Sequence, residues 1–348
     1  MQRYPAADGI RGLACLLVLC THLPGFFLPD YGKYVTGTGK YGVWLFFVLS
    51  AFLLTSRFKA TGFGPGALWR YAVGRVLRIL PLFALTLCIY HAAGVLVPTR
   101  EDLWLALTFQ AGYGHFWTIP VEFCYYALLP AVSALQLWAR RTAGIPGVAG
   151  LTLAVAVLQQ IVWPWWQTPE NDIHLRWYLP CFLLGGAAAV IITGPDARVR
   201  PRWPTAVGLA VFLVLFLLSP GPRHALFHAP FDGWLQNKFV FISVLWSVFL
   251  LALANGGGLL GRLLETRFFR ALGAWSYSVY LIHWLVYVKL SQLPGGHGVG
   301  MAVMAALAAM ACGAVLYYAV ERPLERLRTW LCRPARAPAA ATLPRQAV

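Results

Sequence analysis

Long apolar runs separated by short basic loops decide what this chain can become. Ten of them have approximate limits 9–28, 41–57, 77–97, 116–138, 147–166, 176–193, 205–219, 238–255, 274–290 and 299–320. A run of ~20 apolar residues crosses the hydrocarbon core of a bilayer as a helix. Several runs are shorter and are expected to be tilted, kinked or partly re-entrant. The chain has 348 residues, of which 59% are hydrophobic and 11% charged, against about 25% charged in a soluble protein. The expectation is an all-α, polytopic transmembrane helical bundle of about ten transmembrane helices, forming one domain over 1–330. No polar stretch is long enough for a second folded domain. Segment 101–113 is short and begins polar, so it is expected as a loop or an interfacial helix.

The formal net charge of +16 would suggest nucleic acid in a soluble protein. Here the positive-inside rule explains it, and no nucleic-acid partner is expected. With both termini placed in the cytoplasm, basic residues favour that side by roughly three to one. Residues 331–348, rich in Pro, Ala and Arg, are expected to form a disordered cytoplasmic tail. The seven Cys lie mostly inside apolar runs without paired spacing, which points to buried thiols and to neither disulfides nor a metal site. The first apolar run is longer than a signal-peptide core and is expected to remain as a helix.

Chemistry-bearing residues are few enough to weigh singly. The first run opens with Asp8 and Arg11 and carries His22 inside it. Arg11 and His22 are eleven positions apart, about three helical turns and roughly 16 Å of rise, so both project from nearly one face. A His at that depth needs a protein interior or a wet cavity; the plainer reading is a His bonded to a neighbouring helix. Among the twelve carboxylates, Glu122 lies well inside a run, beside Pro120 and with Tyr125 and Tyr126 three and four residues on. It is either functional or a strut between helices. Arg70, Arg75 and Arg78 precede Pro81; Arg75 and Arg78 are i, i+3 neighbours, suited to phosphate through their donor forks or to anionic lipid headgroups. Tyr277, Tyr280, His283, Trp284 and Tyr287 recur at helical spacing, either as packing or as a second site with an intramembrane His. His91, His115, His174, His224, His228 and His297 carry no expectation.

Taken together these motifs resemble the acyltransferase family 3 membrane proteins over roughly residues 4–330. The resemblance rests on Asp8-Gly9 and Arg11 with His22, on Phe46-Phe47-Val48-Leu49-Ser50-Ala51-Phe52-Leu53, on Arg75-Val-Leu-Arg78-Ile-Leu-Pro81 and on Trp117-Thr-Ile-Pro-Val-Glu122. Ser276-Tyr277…Tyr280-Leu-Ile-His283-Trp284 and Glu321-Arg322-Pro323 complete it. Departures are Ala51 for the usual Gly, Gly74 for a common Arg, and Phe123 where a second acid often follows. No SGNH-type hydrolase domain is expected within this sequence.

The resemblance implies transfer of a short acyl group, acetyl first, from acyl-CoA to a hydroxyl of a carbohydrate or glycoconjugate, in a bacterial inner membrane and without a metal. Hydroxyl attack on a thioester needs a base, and the residues supply one in His22, whose neutral imidazole is available near neutral pH. Arg11 would hold the donor or steady His22, and Glu122 would orient a His or a sugar hydroxyl. Arg75 and Arg78, with Arg70, would bind coenzyme A phosphates. Asp8, Tyr277, Tyr280 and His283 are the candidate substrate contacts, and membrane lipids the remaining partners. Donor and acceptor would wait on opposite faces. Two rival readings stand: a proton-coupled transporter using His22 and Glu122, and a non-catalytic assembly partner for a surface polymer. Acceptor identity, acyl length and oligomeric state stay open.

Overall fold

The computed structural model describes residues 4–192 and 203–332. The expected tail lies outside the described residues from 333 onward. Among the described residues there is no strand, and the helices are α1 (Ala7–Phe27), α2 (Pro29–Gly32), α3 (Gly39–Thr61), α4 (Pro65–Ala92), α5 (Arg100–Leu107), α6 (Thr118–Val162) and α7 (Leu175–Ile191). There follow α8 (Pro204–Leu217), α9 (Pro220–Phe227), α10 (Phe239–Leu253), α11 (Gly258–Leu264), α12 (Arg267–Ser291), α13 (Val299–Leu316) and α14 (Arg322–Leu331). A π-helical turn, Tyr317–Glu321, joins the last two. This is an all-α membrane bundle.

Each of the ten apolar runs is largely helical, but by length and apolar composition alone five helices suffice to cross a membrane, or seven if each of two bent pairs is one span. The difference from ten has identifiable sources. α6 reads as one helix but breaks at Ala143–Gly144, where Gly144 takes φ +66° and Pro146 follows. α7 has only 17 residues. α12 has Ser276, Tyr277, Ser278, Tyr280 and His283 among its apolar residues. α8–α9 and α10–α11 bend by 70° and 93°. Segment 101–113 contains α5, whose polar start is a capping box: the Asp102 N–H donates to the Thr99 hydroxyl at 3.0 Å, and the Asp102 carboxylate accepts from the Thr99 N–H at 3.1 Å. The Thr99 hydroxyl, then that of Tyr113, holds the Asp102 carboxyl below the usual carboxylate range.

Lipid gives helices no hydrophobic reason to associate, so close packing of small residues does the work. α1 and α12 make the most extensive pairing. A Cβ on Gly12 would lie 2.3 Å from the Phe269 carbonyl oxygen and one on Gly273 1.8 Å from that of Asp8. Gly9 gives α1 the same close approach to α11, where a Cβ would lie 1.8 Å from the carbonyl oxygen of Leu264. The Gly185-Gly186 pair plays the same part for α7: Gly185 lies against the backbone of Val48 in α3, and Gly186 against Gln136 in α6. That pair packs within this chain. At one end of the bundle the Gly298 N–H bonds the carbonyl of Phe27 at the close of α1; at the other, Lys59 bonds the carbonyls of Ala189 and Ile192.

Gly273→Ala forces α1 and α12 apart, because the obstructing atoms are backbone, at a cost of about 1–3 kcal/mol or more. The expected outcome is a lost or aggregated fraction on size-exclusion chromatography of detergent extracts. Gly25→Ala, which meets nothing within 4 Å, leaves the elution profile unchanged.

Candidate active site

Charge that cannot face lipid collects in the interior, and here it lines three cavities in series. The first, about 420 Å³, opens among Asp8, Arg11, Arg78, Tyr317, Glu321 and Glu325. The second is narrow, about 80 Å³, and is lined by Arg11, Arg75, Arg78, Glu122, Tyr126 and Tyr277 among apolar side chains. The third is a vestibule of about 520 Å³ bounded by His22, Lys40, His115, Trp117, Glu170 and Trp284. Arg11 and Arg78 belong to both the first and second cavities. Val43 and Tyr280 belong to both the second and third.

The guanidiniums of the basic end are held at different strengths. Arg78 lies 3.6 Å from the Glu321 carboxylate, which is buried and also accepts from the Ser278 hydroxyl at 2.9 Å. The π-helical turn aims Glu321 inward, although it closes the last apolar run and does not lie within it. Arg11 pairs with the exposed Asp8 at 3.1 Å. Arg75 makes no ion pair among the described residues; its guanidinium lies 5.5 Å from the Tyr126 ring centroid, and its Nε is buried without a hydrogen-bond partner. A buried donor without an acceptor is costly unless a ligand supplies one. Glu122 accepts a short bond from the Tyr126 hydroxyl, which also meets Ser50. Tyr277 donates to the Ile79 carbonyl at 2.8 Å and ties α12 to α4.

At the other end, three imidazoles converge. His22 Nδ1 lies 3.2 Å from His283 Nε2, with the ring planes 12° from parallel and the centroids 5.3 Å apart. His283 Nδ1 is 2.6 Å from the Tyr280 carbonyl oxygen. His115 Nε2 is 3.1 Å from the Leu281 carbonyl oxygen, and its ring lies 4.9 Å from that of His283. His22 Nε2 faces the vestibule beside Gly39, where an added Cβ would stand 2.9 Å away. Trp284 meets the His22 ring edge-on at 5.3 Å. Lys40 and Glu170, 3.8 Å apart, close the wall.

The cavities bring together His22, Arg11, Arg75, Arg78, Glu122, Tyr277 and Tyr280. They leave out two expectations, Arg70 and His283, while Asp8 lines the first cavity. Arg70 lines none of them, because five positions at 100° each turn it 140° from Arg75 around α4. Asp8 lies at the outer mouth, paired with Arg11. His283, expected as a substrate contact, is fully buried behind His22 and borders no cavity. Glu122, expected to orient a His, sits in the arginine cavity and bonds Tyr126. Tyr125 stacks on Phe182 at 4.0 Å and turns away from Glu122's cavity. His115 was invisible to spacing arguments, since it lies in a single 3₁₀ turn, Gly114–Trp117. No group of three or more metal-ligating side chains gathers among the described residues.

A family model described as an acyltransferase domain, acyltransferase family 3, matches residues 4–319. The chain belongs to this family. A curated Bacillus subtilis (strain 168) relative, YrhL, provisionally named a peptidoglycan O-acetyltransferase, is 23% identical over 364 aligned positions covering 93% of this chain. The chain spans 55% of that relative's length. No solved structure matches. Arg11, His22, Arg75, Arg78 and Glu122, on which the resemblance read from the sequence rests, all line the cavities.

The Arg78–Glu321 pair is buried enough for its loss to register. Glu321→Ala leaves Arg78 without its carboxylate and destabilises by about 3–5 kcal/mol, read as a lower thermal midpoint in detergent. Arg78→Met with Glu321→Met recovers most of that loss, and the double-mutant cycle measures the coupling.

Proposed function

We propose that this chain is an integral-membrane O-acyltransferase of the bacterial inner membrane. It moves a short acyl group, most simply acetyl, from cytoplasmic acyl-CoA to a hydroxyl of a carbohydrate or glycoconjugate at the opposite face. The observation that carries this reading is the series of cavities joining three guanidiniums to His22. The relative's peptidoglycan name favours a cell-wall glycan as acceptor. The 1–330 bundle forms one catalytic domain in this reading.

The roles follow from position. Arg75, with its unpartnered Nε, and Arg78, held by Glu321, take the donor's phosphates; Arg11 bridges the first two cavities and steadies the chain entering the second. The narrow cavity admits the slender pantetheine arm, its acyl thioester and the adjoining phosphate but excludes the adenosine. Tyr277 and Tyr280 wall its route, and Glu122 with Tyr126 offers polar partners for the arm's amides. The acceptor enters the vestibule, where Trp117 and Trp284 present flat faces to a sugar ring and Lys40 and Glu170 present hydrogen-bonding groups.

His22 Nε2 removes the proton as the acceptor oxygen bonds to the thioester carbonyl carbon. The tetrahedral intermediate then expels the thiolate of coenzyme A, which takes the proton back from His22. An ester forms, a thioester breaks, and free coenzyme A leaves by the way it came. Only the acyl group changes sides. The transport reading pairs His22 with Glu122 as one proton path; it leaves the arginines Arg75 and Arg78 before Pro81 without a role.

Purified protein in nanodiscs, given acetyl-CoA and peptidoglycan fragments, should release coenzyme A and yield acetylated sugar detectable by mass spectrometry. His22→Ala should abolish transfer, a loss of about 10²–10⁴-fold, while the protein stays folded. Gly39→Ala sets a methyl against His22 Nε2 and should lower transfer at least tenfold. Proton-driven uptake without coenzyme A release would instead support transport.

A further inference from the structure

We propose that His283 is a positioning residue that locks His22 into the tautomer whose vestibule-facing nitrogen, Nε2, is the unprotonated base. The inference rests on reading His22 as the base, and it follows from a line of hydrogen bonds in which each partner fixes the next. The line begins at a backbone carbonyl, which can only accept. His283 Nδ1 lies 2.6 Å from the Tyr280 carbonyl oxygen, so Nδ1 carries the hydrogen. A neutral imidazole has one N–H, so His283 Nε2 presents a lone pair. That nitrogen is 3.2 Å from His22 Nδ1, so His22 must donate from Nδ1. Its Nε2 is then left with a lone pair, beside Gly39 in the vestibule wall, with no hydrogen bond to protein among the described residues.

The neighbourhood keeps this assignment free of competition. His283 is fully buried, which leaves no access for water to replace it as acceptor. His115 commits an N–H to the Leu281 carbonyl through Nε2 at 3.1 Å, and its Nδ1 is buried without a partner. It therefore offers no second hydrogen to His283. Trp284 packs on His22 edge-on and fixes the ring plane. When His22 takes a proton on Nε2, its Nδ1–H still points at a lone pair, and the new charge is shared along a line that ends on the Tyr280 carbonyl. The arrangement does for His22 what an orienting carboxylate does for the imidazole of a hydrolase triad, with a neutral imidazole and a helix carbonyl in place of an anion. A carboxylate at that depth would need charge compensation; an imidazole does not.

The test reads the tautomer directly. Protein labelled with ¹⁵N-histidine in nanodiscs distinguishes protonated from unprotonated ring nitrogens, and the signals that vanish in His22→Ala are those of His22. Wild type should show His22 protonated at Nδ1 and bare at Nε2. His283→Leu removes the acceptor; the two tautomers of His22 should mix, and kcat should fall about 100-fold with KM for donor and acceptor little changed. His283→Gln places a carboxamide oxygen where Nε2 stood and should restore the tautomer and most of the turnover. A merely structural role would not split Gln from Leu in this way. The proposal is overturned if wild-type His22 carries its hydrogen on Nε2, or if His283→Leu leaves tautomer and kcat as they were. Should His283→Leu fail to fold, the wild-type spectrum and His283→Gln still decide. The assigned tautomer without acyl transfer to any glycan would uphold the positioning and sink the transferase reading.

Discussion

The site depends on how closely two backbones approach. α1 carries His22 and α12 carries His283, and the two imidazoles meet because Gly12 and Gly273 let main chain touch main chain lower down the same pair of helices. In lipid no solvent pressure would pull these helices together; dispersion over a flush interface does. A single methyl at Gly273 stands in the way of a carbonyl, so the interface either forms fully or not at all. The chemistry at one end of the pair is thus set by the absence of side chains at the other.

The second organising constraint is the expense of charge away from water. The bundle meets it by pairing and by leaving space. Arg78 has Glu321, Arg11 has Asp8, and Lys40 has Glu170. Arg75 alone of the arginine trio is left with an aromatic ring and an empty donor. This graded satisfaction is what a binding site for an anion needs: enough neutralisation to fold, enough residual donor capacity to attract. The vestibule differs in kind, being wide, aromatic and close to neutral.

How much of this was legible in sequence depended on range. The Arg11–His22 stripe was readable, because both residues share one unbroken helix and helical geometry fixes their relation. The breaks within long apolar stretches were readable where Gly144 and Pro146 announce them. Glu321 escaped because a π-helical turn adds a residue to the turn and shifts the phase of everything counted by 3.6. His115 escaped because a 3₁₀ turn has no periodicity to read. His283 was seen, but spacing places it on a face without saying what faces it. Its partner lies 261 positions away in the chain, and only packing reveals that it looks at His22 and not at an open cavity. Arg70 shows the converse: proximity in sequence to Arg75 suggested a shared role that helical rotation denies.

The narrow middle cavity has an electrical consequence. A bilayer in a living cell holds a potential, and a continuous column of water with arginines at one mouth would let ions run down it. Here the wide, wet chambers on either side are parted by Val43, Phe46, Phe47, Ile79 and Ile119 with the Tyr280 ring. The cavity between them holds only about 80 Å³, and its arginines, Arg11, Arg75 and Arg78, repel a cation that would cross. The bundle can therefore keep polar chambers at both faces while remaining an insulator, and the membrane around it stays charged.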